Sequence, residues 1–247
     1  MARVCGICGS EGTASGGVPQ DRVAAVALCE IVRHWSSRYN KKFAALRVAI
    51  QGFEGVGPEL ADMLYHSGVQ LVAVADVSGG LLDPMGLNVD AVRVHVGREG
   101  VLLGYPDAEA VSNADVLECP CDVLVLADGT AQLNDTIAER LHARLVIEFT
   151  PAALSPTAER TLTARDIEVV PWILAASGCA IAAFIEYSQH DNIHPSHSRV
   201  NAFVRRIVRH ATDEVARSAA QWSVGIRHAA TAIGVQRVAA AIRAKGF

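Results

Sequence analysis

A glycine-rich turn between an apolar strand and a helix is the feature that most constrains the fold of this chain. Leu46–Gln51 is a short apolar run of the kind that forms buried parallel strands, and Pro58–Ser67 is a predicted helix with its proline in the first turn. Between them stands Gly52–Gly57, which reads Gly-Phe-Glu-Gly-Val-Gly. A strand, a tight glycine turn and a helix in this order predict a dinucleotide-binding α/β unit.

The spacing of these glycines departs from the dinucleotide fingerprint at one position. In the fingerprint the first glycine makes the tight turn, the second lets the backbone approach a pyrophosphate, and the third lets helix and strand pack closely. Gly52 and Gly57 match the first and third glycines, whereas Glu54 occupies the second and Gly55 is displaced by one. A carboxylate there repels a pyrophosphate, although the helix N-terminus still favours an anion. Two hypotheses therefore stand: NAD binding with weakened affinity, or a scaffold that has lost its cofactor.

An acidic residue after the next strand favours NAD. Val69–Ala75 is a second apolar run and ends at Asp76, where a carboxylate would accept hydrogen bonds from a ribose hydroxyl. The same carboxylate would repel a 2′-phosphate, so NADP is the less favoured cofactor. The other predicted cofactor contacts are Phe53, Val56, Val77, Ala127 and Asp128.

Strands and helices alternate through the middle of the chain. Further strands are predicted at Asp122–Ala127, Arg144–Phe149 and Ile167–Val170, and further helices at Asp21–His34, Leu133–His142 and from Ser155 to about Arg165. A long loop is predicted at Val77–Val89 and a short helix at Asp107–Asn113. This alternation, with short connections, predicts a Rossmann-like doubly wound parallel sheet with right-handed crossovers.

The last part of the chain is predicted to be helical. Gly178–Gln189 is apolar nearly all round and is therefore expected to be buried, and two or three helices follow between Ser198 and Ala244. We expect an irregular N-terminal arm at residues 1–20, a dinucleotide-binding domain at 21–190, and C-terminal helices at 191–247 packed on that domain as a helical layer.

Composition excludes several classes of function. The net charge of the 247 residues is −4, which argues against nucleic-acid binding, and 51% of them are hydrophobic, enough for a substantial core. The most apolar stretch, Trp172–Ile185, is too short to span a bilayer, and the N-terminus lacks the pattern of a secretory signal. We therefore expect a cytoplasmic protein that binds no membrane and keeps its six cysteines as reduced thiols.

Three other groups of residues carry reactive or metal-binding chemistry. Cys5 and Cys8 could combine with Cys119 and Cys121 as zinc ligands, although free thiols are the favoured interpretation and no metal is predicted. The loop residues His190, Asp191, His194 and His197 are interpreted as solvated, with metal binding and a replacement general base as the alternatives. The third group is Glu148 and Glu186 near the presumed sheet edge, for which a structural role is favoured.

Several segments resemble the cofactor domain of the glutamate/leucine/phenylalanine/valine dehydrogenases. The resemblance rests on Arg47–Phe53 with Gly55–Gly57, Val72–Gly80 with Asp83–Leu87, Cys119–Leu124, Val169–Ala175 and Val238–Ala244. It implies the oxidation of an amino acid by NAD(P), or the reverse reaction, with hydride passing between the substrate α-carbon and the nicotinamide. The substrate would be an amine, an amino acid, or an imine or keto acid.

The resemblance also implies a missing partner. In this family a catalytic Lys and Asp precede the cofactor domain, and the chain is expected to begin where that domain begins. The family's Glu-Gly-Ala-Asn becomes Glu148–Pro151, and its Pro-Asp-Ile-Leu-Ala-Asn becomes Pro171–Ala176. We therefore expect a homo-oligomer or a separate catalytic subunit. The alternatives are a non-redox enzyme of amine or imine chemistry and a non-catalytic binding subunit.

Overall fold

The computed structural model describes residues 19–129, 133–188 and 196–244, and a seven-stranded sheet runs through them. The strands are β1 (Arg47–Gln51), β2 (Gln70–Asp76), β3 (Gly79–Leu82), β4 (Glu109–Val111), β5 (Val123–Leu126), β6 (Leu145–Glu148) and β7 (Glu168–Val170). Their order across the sheet is β4-β3-β2-β1-β5-β6-β7. The five strands from β2 to β7 in this order are parallel, whereas β3 runs antiparallel to both β2 and β4.

Helices cover both faces of the sheet. They are α1 (Gln20–Arg38), α2 (Val56–Tyr65), α3 (Val89–Glu99), α4 (Asn113–Glu118), α5 (Asp135–Arg140), α6 (Pro156–Ala164), α7 (Trp172–Ala175), α8 (Ser177–Ser188), α9 (His197–Trp222) and α10 (Ile226–Ala244), with a 3-10 turn at Phe43–Ala45. One hydrophobic cluster joins the sheet to α1, α2, α8 and α9, and a second joins it to α4, α5 and α6. This layering confirms the predicted Rossmann-like α/β class.

The central strands are buried because both faces are covered. Val48, Ala49 and Ile50 of β1 have no exposed surface, and β5 and β6 are buried along their whole length. Parallel strands buried on both faces read as continuous apolar runs rather than alternating ones, which is why these strands were predictable.

The C-terminal helices extend the first of these layers. Both α8 and α9 pack against α1, and α10 packs against α9. Close approach of α8 to α1 depends on Gly178, because a Cβ there would lie 2.7 Å from the Cα of Ala24. The division of the chain at residue 190 stays a prediction.

Three local expectations are wrong, and one helix was not expected at all. Part of the segment predicted as the loop Val77–Val89 forms β3, which pairs with β2. The helix predicted at Asp107–Asn113 is instead a strand, β4, followed by α4. That helix starts late because Ser112 and Asp115 form a capping box, each side chain accepting a hydrogen bond from the other's backbone N–H. The helix α3 was not predicted, and α8 is not buried all round, since Phe184 and Tyr187 are largely exposed.

Two further expectations concern the ends of the predicted segments and the absence of a membrane-spanning helix. Residues 1–18 of the predicted N-terminal arm, which include Cys5 and Cys8, lie outside the described residues, as do His190, Asp191 and His194. The last residue of that arm, Gln20, is the first residue of α1. Within residues 19–129, 133–188 and 196–244, no helix combines the length and the apolarity needed to cross a bilayer.

Candidate functional site

The carboxyl ends of three neighbouring strands meet at the glycine turn. The backbone N–H of Gly52 donates to the carbonyl of Ala75 at 2.9 Å, and the N–H of Ala127 donates to the carbonyl of Gln51 at 2.7 Å. The chain leaves β1 for α2 on one face and leaves β5 for α5 on the other. A ligand crevice is therefore expected between β1 and β5, which is where open α/β sheets bind ligands.

The turn is built so that two of its glycines cannot be replaced without strain. Gly52 has φ +107°, and a Cβ on it would lie 2.6 Å from the backbone nitrogen of Asp128. A Cβ on Gly57 would lie 2.0 Å from the carbonyl oxygen of Gly52. These contacts bring the turn close to the residues after β5 and bring α2 close to the end of β1, as the first and third glycines of the fingerprint require.

The remaining predicted contacts divide between core and surface. Phe53 and Val56 are each 3% exposed and pack in the core under the turn, whereas Glu54 and Gly55 face solvent. Val77 is 71% exposed, beyond the end of β2. Phe53 and Val56 thus shape the turn through packing, and Glu54 is the residue that presents a charge at it.

Asp76 is already engaged by the protein. One carboxylate oxygen accepts from the backbone N–H and hydroxyl of Ser78 at 2.7 and 2.5 Å, and the other accepts from the backbone N–H of Leu102 at 2.7 Å. The residue is only 5% exposed. Asp76 therefore fixes the loop that carries Leu102, and of the roughly four lone pairs of its carboxylate one is left for a further donor.

A second carboxylate near the turn was missed by sequence reasoning. Asp21, in the first turn of α1, lies with both carboxylate oxygens 3.8 Å from the position that a Cβ on Gly55 would take. Burial, and then repulsion from Glu59, raise the pKa of Asp21 above its usual value. No local pattern signals this contact, because it depends on how α1 packs against α2.

Glu148 occupies the other end of the same edge, where β6 finishes. It is 1% exposed and accepts from the Arg227 Nη2 at 2.7 Å, from the Trp172 N–H at 3.3 Å and from the Leu154 N–H at 3.4 Å. The Nε of Arg227 also bonds both oxygens of Glu159 at 2.8 Å. The favoured structural role of Glu148 therefore has a physical basis: it ties α10 to the sheet.

The other candidate residues are dispersed. His197 is exposed at the start of α9, and Glu186 is exposed on α8. Cys119 and Cys121 are buried and hydrogen-bonded to each other. The hydrogen bond from the Cys121 thiol lowers the pKa of Cys119. The same hydrogen bond, together with burial, raises the pKa of Cys121 well above its usual value. Among the described residues the one grouping with metal-ligand geometry is the surface set Asp62, His66 and Asp90, which contains no predicted ligand.

One known protein family matches nearly the whole chain. The family model for glutamate/leucine/phenylalanine/valine dehydrogenase matches residues 16–246. The chain belongs to that family. The predicted resemblance, drawn from the turn and the segments after it, is thereby confirmed.

Several members of the dehydrogenase family are similar over most of this chain. It is 31% identical over 229 residues to the NAD-specific glutamate dehydrogenase of Staphylococcus aureus, covering 92% of this chain and 55% of that protein. It is 34% identical to glutamate dehydrogenase A2 of Halobacterium salinarum, covering 81% and 49%. The structure of hetero-hexameric glutamate dehydrogenase from Thermus thermophilus in its Leu-bound form superposes with a TM-score of 0.84 at 28% identity, covering 97% of this chain and 55% of that one. The chain thus spans about half the length of the relatives it matches.

Proposed function

We propose that this chain supplies the dinucleotide-binding half of an amino-acid dehydrogenase. The observation that carries the proposal is the glycine turn, which keeps its close contacts at Gly52 and Gly57 in a chain that belongs to the dehydrogenase family. The bound cofactor would exchange a hydride at its nicotinamide with the α-carbon of an amino acid, or with the corresponding imine or keto acid. Family membership favours this activity over the non-redox and non-catalytic alternatives.

The backbone of the turn fits a pyrophosphate. No side chain caps the N-terminus of α2 at Gly55, which leaves helix N–H groups open to an anion. The turn residues 52–57 would hold the pyrophosphate, Asp76 would accept from a ribose hydroxyl, and Ala127 and Asp128 would border the crevice. The preference for NAD over NADP is supported by the position of Asp76 and by the NAD-specific relative.

The side chains around the turn oppose the same anion. Glu54 is exposed in the turn, and the Asp21 carboxylate lies against Gly55. Both would repel a pyrophosphate, so we infer that this chain binds NAD more weakly than a turn with three glycines and no facing carboxylate would.

The groups that move protons are proposed to come from a partner surface. The buried acid at this edge, Glu148, is held by Arg227 and two backbone N–H groups and has no free role as a base. A second copy of this chain, or a subunit with the catalytic half, would bring the substrate to the crevice. The reduced thiols of the four described cysteines are in keeping with a cytoplasmic setting, which is also part of this proposal.

Calorimetric titration of the chain with NADH and NADPH tests cofactor binding. We expect one NADH per chain and weaker binding of NADPH. The variant Glu54→Gln keeps the side-chain size and should tighten NADH binding by roughly three- to tenfold, because it removes one charge near the pyrophosphate. The matched control Glu99→Gln removes an exposed charge at the end of α3 and should change nothing.

Two outcomes would contradict the proposal in separable ways. Absence of NADH binding at millimolar concentration in both the chain and Glu54→Gln would remove the cofactor role. Turnover of amino acids with NAD by the purified chain, followed by NADH absorbance, would instead show that this chain carries the catalytic groups itself and would remove the separate catalytic subunit. Binding without turnover supports both parts.

A further inference from the structure

A cavity of about 470 Å³ lies at the opposite end of the strands from the glycine turn. It is bordered by residues that stand just before β6 and β7 and at the C-terminal end of α1. The lining side chains that matter here are Trp35, Tyr39, Lys41, His142, Arg144 and Arg165. The volume is within the range of small-molecule sites, about 300–1,000 Å³.

The cations of this pocket are poorly matched by protein carboxylates. Neither Arg144 nor His142 has a side-chain hydrogen bond or ion pair with any described residue. Arg165 donates one N–H from each terminal nitrogen to the backbone carbonyls of Ala138 and Leu141, which leaves its charge unneutralised and its other N–H groups open to an acceptor. Lys41 is the exception, since it pairs with Asp122. The acid among the lining residues is Asp166.

An aromatic pair forms the other wall. The rings of Trp35 and Tyr39 are 5.2 Å apart, and the Lys41 ammonium lies 5.6 Å from the Trp35 ring. Trp35 is 3% exposed, and its indole Nε1–H has no acceptor among the described residues. Buried indole N–H groups are normally hydrogen-bonded, so this buried donor beside the pocket is an exception to the usual pairing.

We propose that this pocket binds a small organic phosphate monoester. Arg144 and Arg165 supply guanidinium groups suited to phosphate oxygens, and a dianion matches their combined charge better than a carboxylate does. The cavity is too large for phosphate alone, and the ring of Tyr39, which is 52% exposed and backed by the buried Trp35, offers an apolar surface to the organic part. Because the pocket lies at the amino ends of the strands, its ligand would bind independently of a dinucleotide at the carboxyl ends.

Phenyl phosphate is a suitable probe, with phenylacetate as the aromatic monoanion and inorganic phosphate as the bare anion. Calorimetry on the full chain should show phenyl phosphate binding more tightly than either of the others. Arg144→Gln should weaken that binding roughly tenfold, since charge-assisted hydrogen bonds are lost from an exposed side chain that supports no other contact. Arg98→Gln, which removes an exposed and unpaired arginine of α3, should leave it unchanged.

A second variant tests the electrostatic part of the proposal. Asp166 has φ +55°, a conformation that asparagine tolerates, so Asp166→Asn should fold normally and tighten phenyl phosphate binding. Saturating NADH should leave that affinity unchanged. Absence of binding at millimolar phenyl phosphate, equal binding of phenylacetate, equal loss in Arg98→Gln, or competition with NADH would each overturn the assignment.

Discussion

The two ends of the parallel strands differ in which atoms carry their chemistry. At the carboxyl end the backbone forms the proposed binding site, through the close contacts at Gly52 and Gly57 and the start of α2, which no described side chain caps. At the amino end side chains do so, with Arg144 and Arg165 beside an aromatic wall. We propose an anionic ligand at both ends. The side chains support the ligand at the amino end and oppose it at the carboxyl end, where Asp21 and Glu54 stand.

Because of this difference, substitutions that alter the backbone and substitutions that alter a charge should have different effects. A carboxyl-end variant that changes the backbone geometry should affect folding and binding together, because the same atoms serve both. A variant that changes a side-chain charge there should affect binding with little change in folding, unless the charge is buried and paired. Among the described acids at this edge, Glu148 is the one that is both buried and paired with a cation.

The largest effect is expected when the partner of that buried acid is removed. Arg227→Leu leaves Glu148 charged without its cation inside the protein, and such losses amount to about 3–5 kcal/mol. The free energy of unfolding from urea denaturation measures the effect. On the same helix, Arg237→Leu breaks an exposed pair with Glu214 and should lower stability by under about 1 kcal/mol. Equal losses of unfolding free energy in the two variants would show that burial of Glu148 does not make its ion pair more important for stability than an exposed one.

The next effect concerns the backbone of the turn. Gly52→Ala places a Cβ 2.6 Å from the Asp128 nitrogen at φ +107°, and we expect a loss of about 2–4 kcal/mol and of NADH binding. Gly97→Ala, in α3, meets no atom within 4 Å and should raise stability by up to about 1 kcal/mol. Denaturant midpoints give both values. A Gly52→Ala variant as stable as the parent would contradict the close packing of the turn.

The sequence predicted the parts of the fold that are determined locally. The β1 run, the turn and α2 were predictable because burial on both faces produces apolar runs and because Gly52 and Gly57 keep the fingerprint spacing. The β3 strand was not, since Gly79 and Gly80 resemble a turn and their pairing with β2 is a tertiary contact. Gly80 is small for a reason outside its own segment: a Cβ there would lie 2.4 Å from a methyl group of Val116.

The charges of the candidate site were predictable only in part. Glu54 could be recognised because it replaces a residue of a known motif. Asp21 and Arg227 could not, because each reaches the carboxyl edge from a helix distant in sequence. The pair of Arg227 with Glu148 joins residues 79 positions apart, and its formation depends on where α10 packs. Long-range ion pairs of this kind have no signature in a single sequence.

The smallest effect is a pH dependence due to Asp21. Its pKa is raised by burial and then by Glu59, so the folded state binds this proton more tightly than the unfolded state. The resulting stability is fully present below the unfolded pKa and is lost as the pH rises through the folded pKa. The parent should therefore lose stability relative to Asp21→Asn as the pH rises above about 4, the usual pKa of an aspartate. The loss should be on the order of 0.5 kcal/mol, because solvent screens a partly exposed group.

The pH dependence of NADH binding distinguishes the titration of Asp21 from the titration of other acidic groups. Lowering the pH toward the raised pKa of Asp21 neutralises the carboxylate beside Gly55, so NADH should bind the parent more tightly at pH 5 than at pH 7. In Asp21→Asn that part of the pH dependence should be absent and affinity at pH 7 should be higher than in the parent. Asp107→Asn, which removes an exposed acid between α3 and β4, should retain the parent's pH profile. If Asp21→Asn and the parent show the same profile, the acidic character of the carboxyl end resides in Glu54 alone, and α1 has no part in cofactor binding.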